Sequence, residues 1–467
     1  MYERSELQFL GWGSEKNKIY NPDEIWRIEK DNLKEEIKMQ IIENSKVKEK
    51  LYIEKLENGL TIMIIPKKGI QKKYVMWATN YGSIDNKFIV PGKTEATEVP
   101  EGIAHYLEHK MFEQESGKNS LDTLSELGVE ANAYTTTNHT AYLFECTDNF
   151  YPALDELMDY VQHPYFTDEN VEKEKGIISQ EIMMYDDYPD WAVYMNAIRS
   201  MYENNPIKID IAGTVESIKE IDKEVLYKCY NTFYNLSNMV MCIVGDFVPE
   251  ELVEEIKKRI VKNEKNVGEI KRIREKEPAN IVKKEIEQVM EVSMPLFVIG
   301  IKDTNLCEKD DKESIVKKHI AIEVILNMLI GKSSKTYKEL YEQGIIMAEP
   351  YLEYEFEKTY AHIAITGQSK EPKKVLDAIC KKINEYKENG LDEEHFNRIK
   401  NMIYGGYIKE YNDVSAIARM FISDYFKGIN SFDYLENFSQ VTKEYAENIL
   451  KEVFNEEKMV ISIVRGK

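Results

Sequence analysis

The sequence predicts an α+β fold built twice, and three observations carry that reading. The first is an internal repeat. Lys223-Glu224 leads through Asn235 to the apolar run 239–244, and Lys443-Glu444 leads through Asn455 to the run 459–464, so matching residue types recur at a constant offset of 220 residues. Each copy is a helical pattern running into a buried β run, which suggests two homologous halves, each closed by that strand. The second observation is the stretch 263–284, with Lys271, Arg272, Arg274, Lys276 and Pro278 and no sustained apolar periodicity, which reads as a linker. The third is length: 467 residues suffice for two or three domains with cores of their own. The organisation expected is an N-terminal helical extension over 1–46, a first domain over 47–262, the linker over 263–284, and a second domain over 285–467.

In chain order, the extension contains Asn21-Pro22, a cap and first helical residue, followed by apolar positions Trp26, Leu33, Ile37 and Ile41. A striped helix needs a surface to cover, either the rest of this chain or a docking partner. Next comes the run Pro100-Glu101-Gly102-Ile103-Ala104-His105-Tyr106-Leu107-Glu108-His109. Residues three and four apart share a helix face, so His105 and His109 can grip one metal ion while Glu108, beside the second His, stays free to act on water. The order His-x-x-Glu-His is that of the inverted zinc-peptidase motif.

A catalytic zinc needs a third protein ligand and an open fourth position. The segment 167–187 opens with a capping Thr167 and acidic first-turn residues, then reads as a helix with an inner stripe of Val171, Glu174, Ile178, Glu181 and Tyr185. Two carboxylates stand where the period asks for apolar groups, and a buried carboxylate is costly unless paired or bound to a metal. A stripe shifted by one residue, taking in Ile177 and Ile182 and leaving both Glu on a solvated flank, fits the spacing equally well. In the second half the early helix offers His319 and Glu323 but no second His, so His319 reads as an ordinary packed or surface residue.

Composition narrows the class. The longest apolar runs, 239–244 and 295–301, are far too short to span a bilayer. Met1-Tyr2-Glu3-Arg4-Ser5-Glu6 has neither a basic start nor an apolar signal core, which argues for a cytoplasmic protein. The five cysteines are odd in number and scattered without a CxxC pair, as expected of free thiols in a reducing compartment. A net charge of -21 argues against nucleic acid and anionic membranes. It favours basic peptide segments as partners, or simply keeps the chain soluble.

His105-x-x-Glu108-His109, followed after 71 intervening residues by Glu181 in the run Glu172-Lys173-Glu174-Lys175-Gly176-Ile177-Ile178-Ser179-Gln180-Glu181, resembles the pitrilysin/insulinase family of zinc peptidases. The similarity runs from about residue 50 to the C-terminus and is closest to the small two-domain bacterial members related to mitochondrial processing peptidase. Residues 121–141 and 185–215 fit that branch, the latter through Asp210-Ile211-Ala212-Gly213-Thr214. The resemblance implies two homologous α/β sandwich halves and a Zn2+ cofactor held by His105, His109 and Glu181. It further implies Glu108 as the catalytic base, Glu174 as an acid behind the ligands, and Asn132, Ala133, Tyr134 and Thr135 as an edge strand that binds the substrate backbone. The activity implied is that of an endopeptidase acting on short or unfolded peptides, including precursor peptides. A non-catalytic peptide-binding or scaffold subunit is the competing reading, against which the intact Glu108 argues.

One departure bears on partners. Members that bind substrate alone carry an Arg and a Tyr after a Gly-x-Ser-Ser turn. Here Gly331-Lys332-Ser333-Ser334 continues as Tyr337-Lys338-Glu339-Leu340, but Tyr341 stands at the Arg position and no Tyr follows at the usual spacing. The resemblance then implies the zinc-bearing half of a heterodimer whose related subunit supplies the Arg/Tyr pair. The alternative is a homodimer whose clamp uses other groups, such as Tyr341 or Tyr351.

Overall fold

A computed structural model describes residues 39–261, 268–307 and 311–467. The expected stripe from Trp26 to Ile37 lies outside the described residues. Strands β1 (Gln40–Asn44), β2 (Glu49–Lys55), β3 (Thr61–Pro66) and β4 (Lys73–Thr79) are followed by the short β5 (Lys87–Ile89) and β6 (Ala96–Glu98), then β7 (Glu130–Thr135), β8 (Thr140–Cys146) and β9 (Met239–Gly245). After β10 (Lys271–Arg272) the second half supplies β11 (Glu285–Val289), β12 (Leu296–Asp303), β13 (Tyr351–Phe356), β14 (Ala361–Gln368) and β15 (Met459–Arg465).

The first sheet has the order β1-β2-β3-β9-β4-β8-β7 and the second β11-β15-β12-β14-β13. Five strands of the first repeat all five of the second. β3 pairs β9 in parallel as β11 pairs β15, and every later neighbour is antiparallel. The repeated apolar runs are β9 and β15, each interior to its sheet, which is why they are continuously hydrophobic: both faces are covered.

What covers them crosses between the halves. Helix Val414–Lys427 of the second half lays Val414, Ile417, Phe421 and Ile422 on Met63, Met76, Val240 and Cys242 of the first sheet. Helix Pro189–Met201 of the first half lays Val193, Ala197, Ile198 and Met201 on Val298, Ala364, Val460 and Val464 of the second. Each large aliphatic side chain buried this way contributes about 1.5–3 kcal/mol. Each half therefore depends on a helix of the other for its core.

Two expected boundaries change. Position 46 falls in the turn of the β1–β2 hairpin, where Gln40 pairs with Ile53 and Asn44 with Glu49. Ile41, expected on a helix, stands in β1 and is half-exposed, because backbone pairing with β2 outweighs a stripe that has no apolar surface to meet there. Residues from Gln40 onward thus belong to the first sheet. The stretch expected as a plain linker is clasped to the fold: β10 pairs β5, and Arg272 and Arg274 both reach the buried carboxylate of Asp85, Arg272 Nε at 2.9 Å. Glu277 accepts the backbone N–H groups of Glu203, Asn204 and Asn205 at 3.0, 2.8 and 2.7 Å. Two arginines of the basic cluster are thus an anchor. None of the described helices is long and apolar enough to cross a membrane.

Candidate metal centre

The motif helix spans Ile103–Lys110 and starts where it does because of glycine. Gly102 has φ 85°, and a Cβ there would lie 2.2 Å from the carbonyl oxygen of Ala212. Reciprocally, a Cβ on Gly213 (φ 77°) would lie 2.5 Å from the carbonyl of Glu101, which accepts a hydrogen bond from Ser217 Oγ at 2.9 Å. Two glycines let the 210–214 segment press backbone to backbone against the helix start. The Tyr106 hydroxyl donates to the carbonyl of Val171 and ties the motif helix to the next one.

That second helix spans Asp168–Asp186 under a capping box, Thr167 Oγ1 accepting from Asn170 N at 3.1 Å and Asn170 Oδ1 from Thr167 N at 2.9 Å. Its buried face is Val171, Glu174, Ile178 and Ile182. Neither expected stripe describes it whole: Glu174 is inside, Ile182 replaces Glu181 and Tyr185, and Ile177 is exposed. Glu181 sits half-buried on the rim, facing the motif helix.

The two helices bring His105, His109 and Glu181 together, with one donor atom from each within 4.8 Å of the others. His105 Nε2 lies 3.7 Å from Glu181 Oε1, and His109 Nε2 lies 3.5 Å from Glu181 Oε2. Ligands about 2.0–2.1 Å from one tetrahedral ion are about 3.3–3.4 Å apart, so two imidazoles and a carboxylate at these separations fit zinc. Burial, helped by the neighbouring His109, pushes the His105 pKa down to about 3, which keeps that imidazole neutral as a ligand must be. Burial also disfavours charge on His109, but its hydrogen bond to Glu174 and the nearby carboxylates outweigh this and hold its pKa above the ordinary value. The contact is His109 Nδ1 to Glu174 Oε1 at 3.0 Å, which leaves Nε2 turned toward Glu181. Glu174, buried itself, is held below the usual carboxylate range by His109 and Lys110 despite that burial.

Glu108 is buried beside the triad and outside it. Burial raises its pKa, against a 2.6 Å hydrogen bond from Thr135 Oγ1. Thr135 ends β7, whose other edge has no strand partner among the described residues. Of the expected substrate residues, Thr135 reaches the motif helix through this hydrogen bond, and Ala133 shares its face of the strand. Asn132 and Ala133 lie along the edge strand, with Asn132 Oδ1 accepting from Ala133 N at 2.8 Å. Tyr134 points to the opposite face, its hydroxyl 3.6 Å from Met76 Sδ and the Arg419 guanidinium 5.4 Å from its ring centroid.

Elsewhere, His319 is packed in the second core with Nδ1 2.7 Å from the Tyr434 hydroxyl, and burial pushes its pKa down to about 3. Tyr341 and Tyr351 are both exposed. All five cysteines are free thiols. A residue the sequence reading passed over is Lys110, fully buried behind the site. Its signal was there: a lysine between His109 and the apolar Met111-Phe112.

Residues 88–215 match the family model described as Insulinase (Peptidase family M16), and residues 220–403 match the one described as Peptidase M16 inactive domain. The Bacillus subtilis protein named Uncharacterized zinc protease YmfH is 40% identical over 411 residues, covering 88% of this chain and 95% of that one. The Arabidopsis thaliana protein named Probable mitochondrial-processing peptidase subunit beta is 26% identical over 215 residues, 45% of this chain and 40% of that one. Among solved structures, an M16-like peptidase from Alicyclobacillus acidocaldarius superposes with TM-score 0.85 at 32% identity, covering 92% of this chain and 99% of that one. Pitrilysin shares the fold at TM-score 0.70 and 17% identity, over 91% of this chain and 46% of that one. The chain belongs to the insulinase family of peptidases, with the two α/β halves expected of it.

Proposed function

We propose that this chain is a zinc-dependent endopeptidase of short or unfolded peptides, acting in the cytoplasm as the zinc-bearing subunit of a heterodimer and processing a precursor peptide. The observation that carries the reading is the position of Glu108: a carboxylate buried against a His-His-Glu triad, hydrogen-bonded to the edge strand and free of any ligand role. A pure scaffold has no use for it.

His105, His109 and Glu181 would hold the ion. Zinc, when bound, supplies a Lewis acid that polarises a scissile carbonyl and makes water a stronger nucleophile. The chain's own residues do the rest. The outer edge of β7 offers backbone groups to an extended peptide, which adds to the sheet and is held by main-chain hydrogen bonds. Glu108, with its pKa raised by burial, is suited to take a proton from water and pass it to the leaving amine. Thr135 fixes the rotamer of Glu108 and ends the substrate-binding strand, so one residue couples where the peptide lies to where the base points. Glu174 orients His109.

Tyr341 at the position where the family has Arg supports the divided site, and so does a relative whose name makes it one subunit of an assembly. Five unpaired thiols support a reducing compartment. The description as an inactive domain falls on residues 220–403, which hold none of the triad. The test is zinc content together with cleavage of a quenched peptide library, with and without chelator, alone and with the partner chain. A zinc-free protein, or cleavage indifferent to chelator, would refute the reading.

A further inference from the structure

Lys110 is the last residue of the motif helix and is fully buried, yet no step above uses it. An ammonium is almost never buried without a charge to answer it. Two carboxylates do so here. Lys110 Nζ lies 2.7 Å from Glu113 Oε2 and 3.6 Å from Glu174 Oε2. Glu174 is thereby shared: Oε1 lies 3.0 Å from His109 Nδ1 while Oε2 faces the lysine. A carboxylate hydrogen-bonded to the imidazole at one oxygen and ion-paired with the ammonium at the other cannot rotate without losing one partner.

We infer that Lys110 is a positioning residue for the metal centre, acting through Glu174: it fixes the carboxylate that keeps His109 Nε2 turned toward Glu181. The inference rests on the zinc reading. Charge gives the same answer as geometry. Three carboxylates, Glu108, Glu174 and Glu181, crowd two imidazoles. A dication in the triad answers two of them, and the ammonium of Lys110, shared with Glu113, is the fixed positive charge that faces Glu174. Its stem runs back from the residue after His109, so the ligand and its counter-charge are set by one turn of helix. The competing role is purely local, in which Lys110 pins Glu113 and the turn after the helix. The two roles differ in which carboxylate matters.

The experiment compares zinc affinity, by competition with a chromophoric chelator, in the full chain and in Lys110→Met, Glu174→Gln, Glu113→Gln and the double variant Lys110→Met/Glu174→Gln. Lys110→Met should weaken zinc about ten- to a hundredfold, as loss of a group behind a ligand does. Glu113→Gln should bind as the native chain does. The double variant should bind no more weakly than Glu174→Gln alone, because the amide oxygen still accepts from His109 and carries no charge to be balanced. Lys110→Met within twofold of native affinity would overturn the inference, as would a double variant whose loss is the product of the two single losses, or Glu113→Gln matching Lys110→Met. If Lys110→Met alone does not fold, the comparison of the double variant with Glu174→Gln decides: equal affinities support the role, and a further tenfold loss or a double variant that also fails to fold overturns it. A native chain that held no zinc would refute the peptidase reading and this inference together, whereas native zinc binding retained in Lys110→Met refutes this one alone.

Discussion

Thr135 Oγ1 donates a 2.6 Å hydrogen bond to Glu108 Oε2, so the last residue of the edge strand holds the residue assigned as base. Removing the acid and removing its support should have different consequences. Glu108→Gln should keep stoichiometric zinc and lose peptide cleavage by about a hundredfold or more, since the amide cannot take a proton. Thr135→Val should keep zinc and lower kcat more mildly, by about tenfold, through a base that is less well oriented. Zinc analysis and initial rates on a quenched peptide read both, and an active Glu108→Gln protein would refute the assignment.

Ligation makes a second prediction. His105→Ala, His109→Ala and Glu181→Ala should each lose stoichiometric zinc, because each supplies one of three donor atoms within 4.8 Å of one another. Glu174→Ala leaves the triad whole and removes the hydrogen bond at His109 Nδ1 together with the ion pair to Lys110, so zinc affinity should fall about ten- to a hundredfold. If Glu174→Ala lost zinc and Glu181→Ala kept it, the two acids would have exchanged roles.

These two acids also mark how far the sequence could be read. The motif helix, the Thr167 cap and the repeated strands were legible because spacing, capping and apolar runs are local properties. The division of labour between Glu174 and Glu181 was not, since periodicity placed both on one stripe while packing buried one and left the other on the rim. Nor was the exchange of helices between the halves: an amphipathic pattern over 414–427 says that an apolar surface is needed, not that it lies on β4 and β9. The clasp of the linker was hidden for the same reason, Arg272 and Asp85 being 187 residues apart. Ile37 and Ile41 share a helical spacing, yet Ile41 is in a strand because its neighbours pair with β2.

The hairpin gives a third prediction. Deleting residues 1–38 leaves every described strand in place and should preserve folding and zinc binding. Deleting 1–46 removes β1 and with it the buried Asn44, which donates to Glu436 Oε1 at 3.0 Å. That truncation should lose about 1–3 kcal/mol of stability while retaining zinc. Equal denaturant midpoints for the two truncations would contradict the placement of β1 in the sheet.

A fourth prediction concerns pH. Burial raises the pKa of Asp424 to about 6 from an ordinary 3.8, on the helix that covers the first sheet. A carboxyl whose pKa is higher folded than unfolded binds its proton more tightly in the native state, so its contribution falls as pH rises from about 4 to 6 and stays unfavourable above. Asp424→Asn keeps an acceptor for Ser431 Oγ, now 2.6 Å from Asp424 Oδ2, without the buried charge. It should stabilise the protein by about 1–3 kcal/mol above pH 6 and flatten the dependence between pH 4 and 6. Unchanged melting curves at pH 7 would contradict this.

The last prediction is that the purified chain binds zinc but cleaves peptides poorly, and that a related chain carrying the Arg/Tyr pair restores turnover. An extended peptide on β7 is held by backbone hydrogen bonds alone, which fix its strand direction but leave it free to slide by two residues at a time. Anchoring one carbonyl or the C-terminus with a cationic donor and a phenol removes that freedom and raises the fraction of bound peptide with a scissile bond in place. The position from which the family supplies the donor holds Tyr341, which is exposed and stacked on Tyr337 with ring centroids 5.8 Å apart. A chain with net charge -21 also gains more from a less acidic partner than from a copy of itself. Turnover should therefore rise at least tenfold on adding the partner, chiefly through kcat/KM, with zinc content unchanged. Full activity of the chain alone, undiminished in Tyr341→Ala and indifferent to any partner, would refute the divided site and leave the zinc assignment standing.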